Sequence, residues 1–213
     1  LCLNLNQSMR ETRIAPDIDR RRTSAPPKEY DMTNAQNLGL TPGTWNIDPI
    51  HSSVGFSVRH MMVSKVKGQF EEFTGQITVA DQIEDSSVQA SIVVSSINTH
   101  NAQRDEHVKS SDFWNADAGQ TIDFTSTNVV ADGDDWLVAG DLTMNGITKP
   151  APLKVEFGGS ASDGQGGTKA GFEATTEILR SEYGIDFNMP MDGGGVVIGD
   201  KVAITLDIQA AKA

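Results

Sequence analysis

The feature that most narrows the folding options is a two-residue alternation of apolar and polar side chains, repeated in short runs. It is clearest at Val202, Ile204, Leu206 and Ile208, which are interleaved with Ala203, Thr205 and Asp207. The same period runs through Val54, Phe56 and Val58, through Val88, Ala90, Ile92 and Val94, and through Leu153, Val155 and Phe157. Successive side chains point to opposite faces of a strand, so such runs fit half-buried β-structure and not helix. Turn-forming residues separate them: Asp132-Gly133, Asn145-Gly146 and the Gly- and Ser-rich stretch Ser160–Gly167. Further strands are expected at Thr44–Asp48, closed by Pro49, at Thr121–Val130, at Trp136–Met144 and at Ala170–Leu179. Lys65–Ala80 reads as a strand pair or one bent strand, with bulges or close approaches at Gly68 and Gly75. The chain is therefore read as all-β, with about eight antiparallel strands in a barrel or sandwich. A barrel is favoured because closure removes exposed edges, and one of this size can hold a small ligand.

One segment departs from the alternation. Ile97–Trp114 is polar and highly charged, contains His100, His107 and the Arg104-Asp105 pair, and ends on Phe113-Trp114. It is read as a short helical insertion near residues 101–114. Arg104-Asp105 is expected to tie it to the barrel rim by charge-assisted hydrogen bonds.

Residues 1–40 carry Arg20-Arg21-Arg22, Pro26-Pro27 and many polar side chains without a hydrophobic period, and are expected to be a disordered extension. The domain proper is placed at 43–213. Beyond Asp31 the chain has eleven Lys and Arg against twenty-four Asp and Glu, a net of −13. That balance argues against nucleic acid as a partner and against unaided adhesion of the whole domain to anionic membranes. No run reaches the roughly eighteen apolar residues that would span a bilayer, and no export signal is evident, so a cytoplasmic location is expected.

Chemistry-bearing motifs are sparse. A single cysteine, Cys2, excludes an intramolecular disulfide. His51, His60, His100 and His107 are scattered, so neither a metal site nor a cofactor is expected. No Gly-x-Ser-x-Gly elbow places a serine nucleophile, and the glycine clusters at Gly164–Gly167 and Gly193–Gly195 lack the Lys-Ser/Thr of a phosphate loop. No catalytic residue is assigned.

Several spaced motifs together resemble the YceI-like family of lipid-binding proteins. They are Trp45-Asn46-Ile47-Asp48 with His51-Ser52, Phe56-Ser57-Val58-Arg59-His60, Gly68-Gln69-Phe70 and Phe73-Thr74-Gly75. They continue in Ile97-Asn98-Thr99, Arg104 to Ser110, Asp112-Phe113-Trp114, Gly140 to Pro150, Gly171 to Ala174, Arg180 and Tyr183-Gly184-Ile185. The resemblance spans about Gly43 to Ala210; Trp114 stands where many relatives have Phe. It implies a lipocalin-like barrel whose interior holds a long apolar chain, a polyisoprenoid or isoprenoid quinone, and no enzyme activity.

On that basis Phe56, Phe70, Phe73, Phe113, Trp114, Phe124, Leu142, Met144 and Phe172 are the candidate contacts for an apolar tail. His51, Arg59, His60, Arg104, Asp105, His107 and Arg180 are the candidates for the polar head or the rim, and Lys109 is a further cation for an anionic head. The expected partner is a long-chain isoprenoid or other amphipathic lipid, with a second copy of the chain as a further candidate. An enzyme acting on the bound lipid and an interaction domain with a filled core remain alternatives.

Overall fold

A computed structural model describes residues 33–116, 119–191 and 194–213. Cys2, the Arg20–Arg22 triplet, most of the expected N-terminal extension and Gly193 lie outside the described residues.

The strands are β1 (Gly43–Ile47), β2 (Ser53–His60), β3 (Ser64–Phe70), β4 (Phe73–Val79), β5 (Ser87–Val93) and β6 (Ile97–Asn98), followed by helix α1 (Ala102–Lys109). Then come β7 (Thr121–Asp132), β8 (Asp135–Met144), β9 (Ile147–Pro150), β10 (Leu153–Ser162), β11 (Thr168–Leu179) and β12 (Ile198–Lys212). Several of these lie end to end. Both β1 and β2 pair with β12, at Ile47↔Ala210 and Val54↔Leu206, and so form one bent strand. In the same way β4 pairs β1 while β3 pairs β2, β5 pairs β4 while β6 pairs β3, and β9 and β10 both pair β8. The segments merge into eight antiparallel staves, and the last closes on the first. This is the expected barrel, closed by the β1–β12 pairing, with only the short β6 and β9 paired on a single side among the described strands.

Local sequence explains the bends and turns. Lys65–Ala80 is one bent strand, broken between Phe70 and Phe73. Its two glycines are close approaches: a Cβ on Gly68 would stand 2.5 Å from Phe56 Cζ, and one on Gly75 would stand 2.5 Å from Ile47 Cδ1. At the β8–β9 turn Asn145 and Gly146 have φ 53° and 75°, the hand that matches strand twist and that Asn-Gly adopts readily. In β7 the register shifts between Ser126 and Asn128. The buried set accordingly passes from Ile122 and Phe124 to Val129, a change of parity that a single period does not reveal.

At the β1–β2 bend, Asp48 Oδ2 accepts from Lys169 Nζ at 3.1 Å and lies 3.0 Å from His51 Nδ1. Its Oδ1 accepts from the Ile50 N–H at 3.1 Å. The His51 and Lys169 contacts hold the Asp48 carboxyl well below the usual carboxylate range.

The expectation of disorder up to residue 40 is corrected for residues 33–40. Asn34 caps a short 3₁₀ turn, Ala35–Leu38, by accepting from the Gln36 N–H at 2.9 Å. Ala35 and Leu40 are buried, at 0 and 3 % exposure. The segment is anchored by Ala35 N–H to Asp81 O at 3.0 Å and by Ser160 Oγ to Leu38 O at 3.1 Å. Only a few apolar side chains are needed to seat a turn against the barrel, so no repeating pattern announces it.

Candidate ligand-binding cavity

Inward-facing side chains from all eight staves leave a cavity of about 310 Å³. In β8, for example, the alternation Trp136, Val138, Leu142 and Met144 lines it, with Leu137 and Asp141 turned outward. Its wall is almost wholly apolar. Thr74, Ser86 and Thr176 are the uncharged polar side chains on it, and Arg180 is the one charged lining residue among those described.

All nine residues named for the apolar tail line this cavity: Phe56, Phe70, Phe73, Phe113, Trp114, Phe124, Leu142, Met144 and Phe172. Phe113 is half-buried and Trp114 is 8 % exposed, so both turn inward from the helical insertion.

The seven polar candidates do not converge. Arg180 alone reaches the lining. It is 6 % exposed, and carbonyl oxygens surround its guanidinium: Nε donates to Gly199 O at 3.0 Å, and Nη1 to Ile185 O at 2.6 Å and Phe187 O at 3.0 Å. Nη2 approaches Ile198 O at 3.4 Å. The Ile198 and Gly199 carbonyls lie where the β12–β2 register slips between Ile198 and Val202, while those of Ile185 and Phe187 come from the segment that follows Tyr183. Burial draws the Arg180 guanidinium below its ordinary value, while Asp200 and Asp186 oppose that shift.

Arg104 and Asp105 fold back onto Thr99, which is 3 % exposed. Arg104 donates from Nε to Thr99 Oγ1 and from Nη2 to Thr99 O, each at 2.7 Å. Asp105 Oδ1 accepts from the Thr99 N–H at 2.8 Å and from its hydroxyl. The pair is thus a clamp between β6 and α1. His107 stands at the edge of α1, its Nε2 2.9 Å from Asp112 Oδ2 and its ring 5.2 Å from Phe113 and 5.5 Å from Phe187. The two phenylalanine rings are 5.1 Å apart. His51 is exposed beside Asp48 at the β1–β2 bend, and Arg59 and His60 end β2 outside the lining.

Two features lay beyond the sequence reading. Leu38 lines the cavity from a segment with no hydrophobic period. Trp136 Nε1 is buried without a hydrogen-bond partner among the described residues, on a residue that lines the cavity. The period of β8 predicts the first half of that, since Trp136 shares a face with Leu142; the orphaned N–H is visible only in the packing.

The chain matches the YceI-like domain family over residues 45–210. A UPF0312 protein of Staphylococcus aureus (strain USA300) is 40% identical over 162 residues, covering 74% of this chain and 91% of that protein. Among solved structures, BcnA of Burkholderia cenocepacia aligns with a TM-score of 0.65 at 21% identity, covering 76% of this chain and 98% of that one. The Campylobacter jejuni YCEI protein aligns at 0.61 and 25% identity, over 73% and 90% of the two chains. A polyisoprenoid binding domain from Saccharophagus degradans, implicated in plant cell wall breakdown, aligns at 0.56 and 15% identity, over 79% and 98%. With an eight-stave barrel closed around an apolar cavity, and this match over most of its length, the chain belongs to the YceI-like family.

Proposed function

We propose that the protein binds a long-chain amphipathic lipid, of polyisoprenoid or isoprenoid quinone type, and carries or stores it without chemical change. The observation that carries this reading is the cavity: a wall of aromatic and aliphatic side chains with one cation among the described residues, Arg180, on it. Each buried methylene contributes about 0.8 kcal/mol against water, so a prenyl tail supplies ample drive to leave it. Against a bilayer that drive nearly cancels, because both environments are apolar. Selectivity then falls to fit and to the head group. A head with an oxygen acceptor suits Arg180, whose buried charge has carbonyl dipoles around it and no carboxylate within ion-pair distance among the described residues. The Saccharophagus degradans neighbour, described as polyisoprenoid binding, shares the fold and makes that ligand class the first to test.

Native mass spectrometry tests the reading. The purified chain, or the chain incubated with polyprenol and ubiquinone in detergent micelles, is expected to retain one lipid after detergent is stripped in the gas phase. Absence of any adduct under both conditions sinks the carrier reading and favours a domain without cargo.

A further inference from the structure

The β2–β3 turn holds Met61, Met62 and Val63 in solvent, at 44, 64 and 81 % exposure. Met61 and Met62 both have left-handed backbone, φ 50° and 62°. The Val63 N–H donates to His60 O at 3.2 Å and closes the turn. A turn of that hand selects Asn and Gly, as Asn145-Gly146 does elsewhere in this barrel. Two methionines at such positions cost backbone energy and leave apolar surface in water. Folding of the isolated barrel gives no reason for them.

A second loop lies alongside. Met61 N–H donates to Val197 O at 2.8 Å and Val197 N–H to Met189 O at 3.1 Å, which brings up the exposed Met189 and Val196. Five of the nine exposed large apolar side chains among the described residues therefore gather on one pad. Cations flank it. Arg59 and Lys65 face each other directly across β2 and β3, with Lys67 farther along the same face. All three are exposed, and none has an ion-pair partner among the described residues. Like charges directly opposite on a sheet are unfavourable unless something anionic covers them.

We propose that this pad docks the barrel end-on to an anionic lipid bilayer, with the methionines and valines in the acyl boundary and the three cations against the head groups. Apolar residues flanked by Lys and Arg are the pattern of interfacial anchors. The net charge of −13 beyond Asp31 opposes adhesion of the whole domain. Charges beyond a Debye length of about 8 Å are screened at physiological salt, so the local set decides, and there Arg59, Lys65 and Lys67 outnumber Asp200, which follows the Gly199 packed on Arg59. The proposal rests on the carrier reading and extends it. His60, which precedes the turn, pairs with Ile198, and Ile198 O is an acceptor for Arg180, so docking turns the Arg180 end of the cavity toward the membrane.

The test uses the full chain and two variants, Met61→Asn/Met62→Gly and Arg59→Gln/Lys65→Gln/Lys67→Gln. Each is co-sedimented with phosphatidylcholine vesicles with and without phosphatidylglycerol. The wild type is expected to bind the phosphatidylglycerol vesicles and to lose binding as salt rises. The Asn-Gly variant is expected to bind at least about tenfold more weakly while melting no lower than wild type, since its turn chemistry improves. The triple Gln variant is expected to lose the preference for phosphatidylglycerol. Loading of polyprenol from detergent micelles, read by native mass spectrometry, is expected to be unchanged in both variants, which separates docking from the cargo reading. Wild-type protein that ignores phosphatidylglycerol vesicles, or vesicle binding untouched by both variants, overturns the proposal. A dimer in sedimentation velocity that the Asn-Gly change dissolves, without vesicle binding, assigns the pad to a second copy and also overturns it.

Discussion

At Gly140 a single methyl group decides whether Phe124 can stay on the cavity wall. A Cβ there would stand 2.3 Å from Phe124 Cζ and 2.9 Å from the Thr125 carbonyl oxygen, and the second contact is backbone that cannot swing aside. Gly140→Ala is therefore expected to destabilise the barrel by about 1–3 kcal/mol, the usual range for overpacking. It should also push the Phe124 ring into the space proposed for lipid, so denaturant midpoints and lipid retention should fall together. A normal midpoint in this variant would contradict the packing. Asp48 sets a second residue-scale expectation, in pH. Its carboxyl is lowered in the folded chain, by His51 first and Lys169 next. The stability it contributes is thus complete above the unfolded carboxylate value of about 3.9 and is lost as pH falls from there through the lowered folded value. Acid unfolding of wild type and Asp48→Asn should show a stability difference at neutral pH that shrinks below about pH 4. A difference constant with pH would mean that Asp48 acts by packing alone.

Helix α1 is held largely by polar contacts: none of its residues is fully buried, and Val108 is its one side chain packed partly against the core. Thr99 serves Arg104 and Asp105 at once, as acceptor, donor and backbone anchor. Thr99→Val keeps the shape but removes the hydroxyl, leaving Arg104 Nε without its partner, at a cost of about 1–3 kcal/mol. Because α1 contributes little buried surface, that loss should appear as local opening. Hydrogen exchange of the 102–109 amides should accelerate while β8 and β11 keep their protection; acceleration spread evenly over the barrel would show that the clamp supports the whole fold. The same contrast explains what the sequence disclosed. The alternation in β2, β5, β8 and β12 reports which face is buried, and with Asp132-Gly133 and Asn145-Gly146 it is enough for the antiparallel meander. It also places Phe56, Ile92 and Leu142 on the lining. Hydrogen-bond partners have no period. Nothing in the spacing of Arg104, His107 and Arg180 says that the first grips Thr99, the second stacks on phenylalanines and only the third reaches the cavity. The Ala35–Leu38 turn escaped for a related reason, since its fit depends on a few contacts with distant residues such as Asp81 and Ser160.

For the whole molecule, the cavity makes stability and cargo inseparable on the carrier reading. A ligand that binds only the folded chain stabilises it by about 2.7 kcal/mol at a hundred times its dissociation constant. In a domain of this size each kcal/mol moves the melting temperature by about 2–4 °C. Lipid-loaded protein should therefore melt about 5–10 °C above the delipidated chain, with the increment growing with free lipid. Ala174 provides the control. It is 6 % exposed on the cavity wall, between Val155 and Leu206 in the register, so Ala174→Phe places a ring where the tail would run. The variant's own melting temperature can move either way, because cavity filling and overpacking oppose each other. Its response to lipid should vanish. If the lipid-dependent rise persists with the cavity filled, the lipid binds outside the barrel, and the apolar interior is a core whose gaps have no cargo.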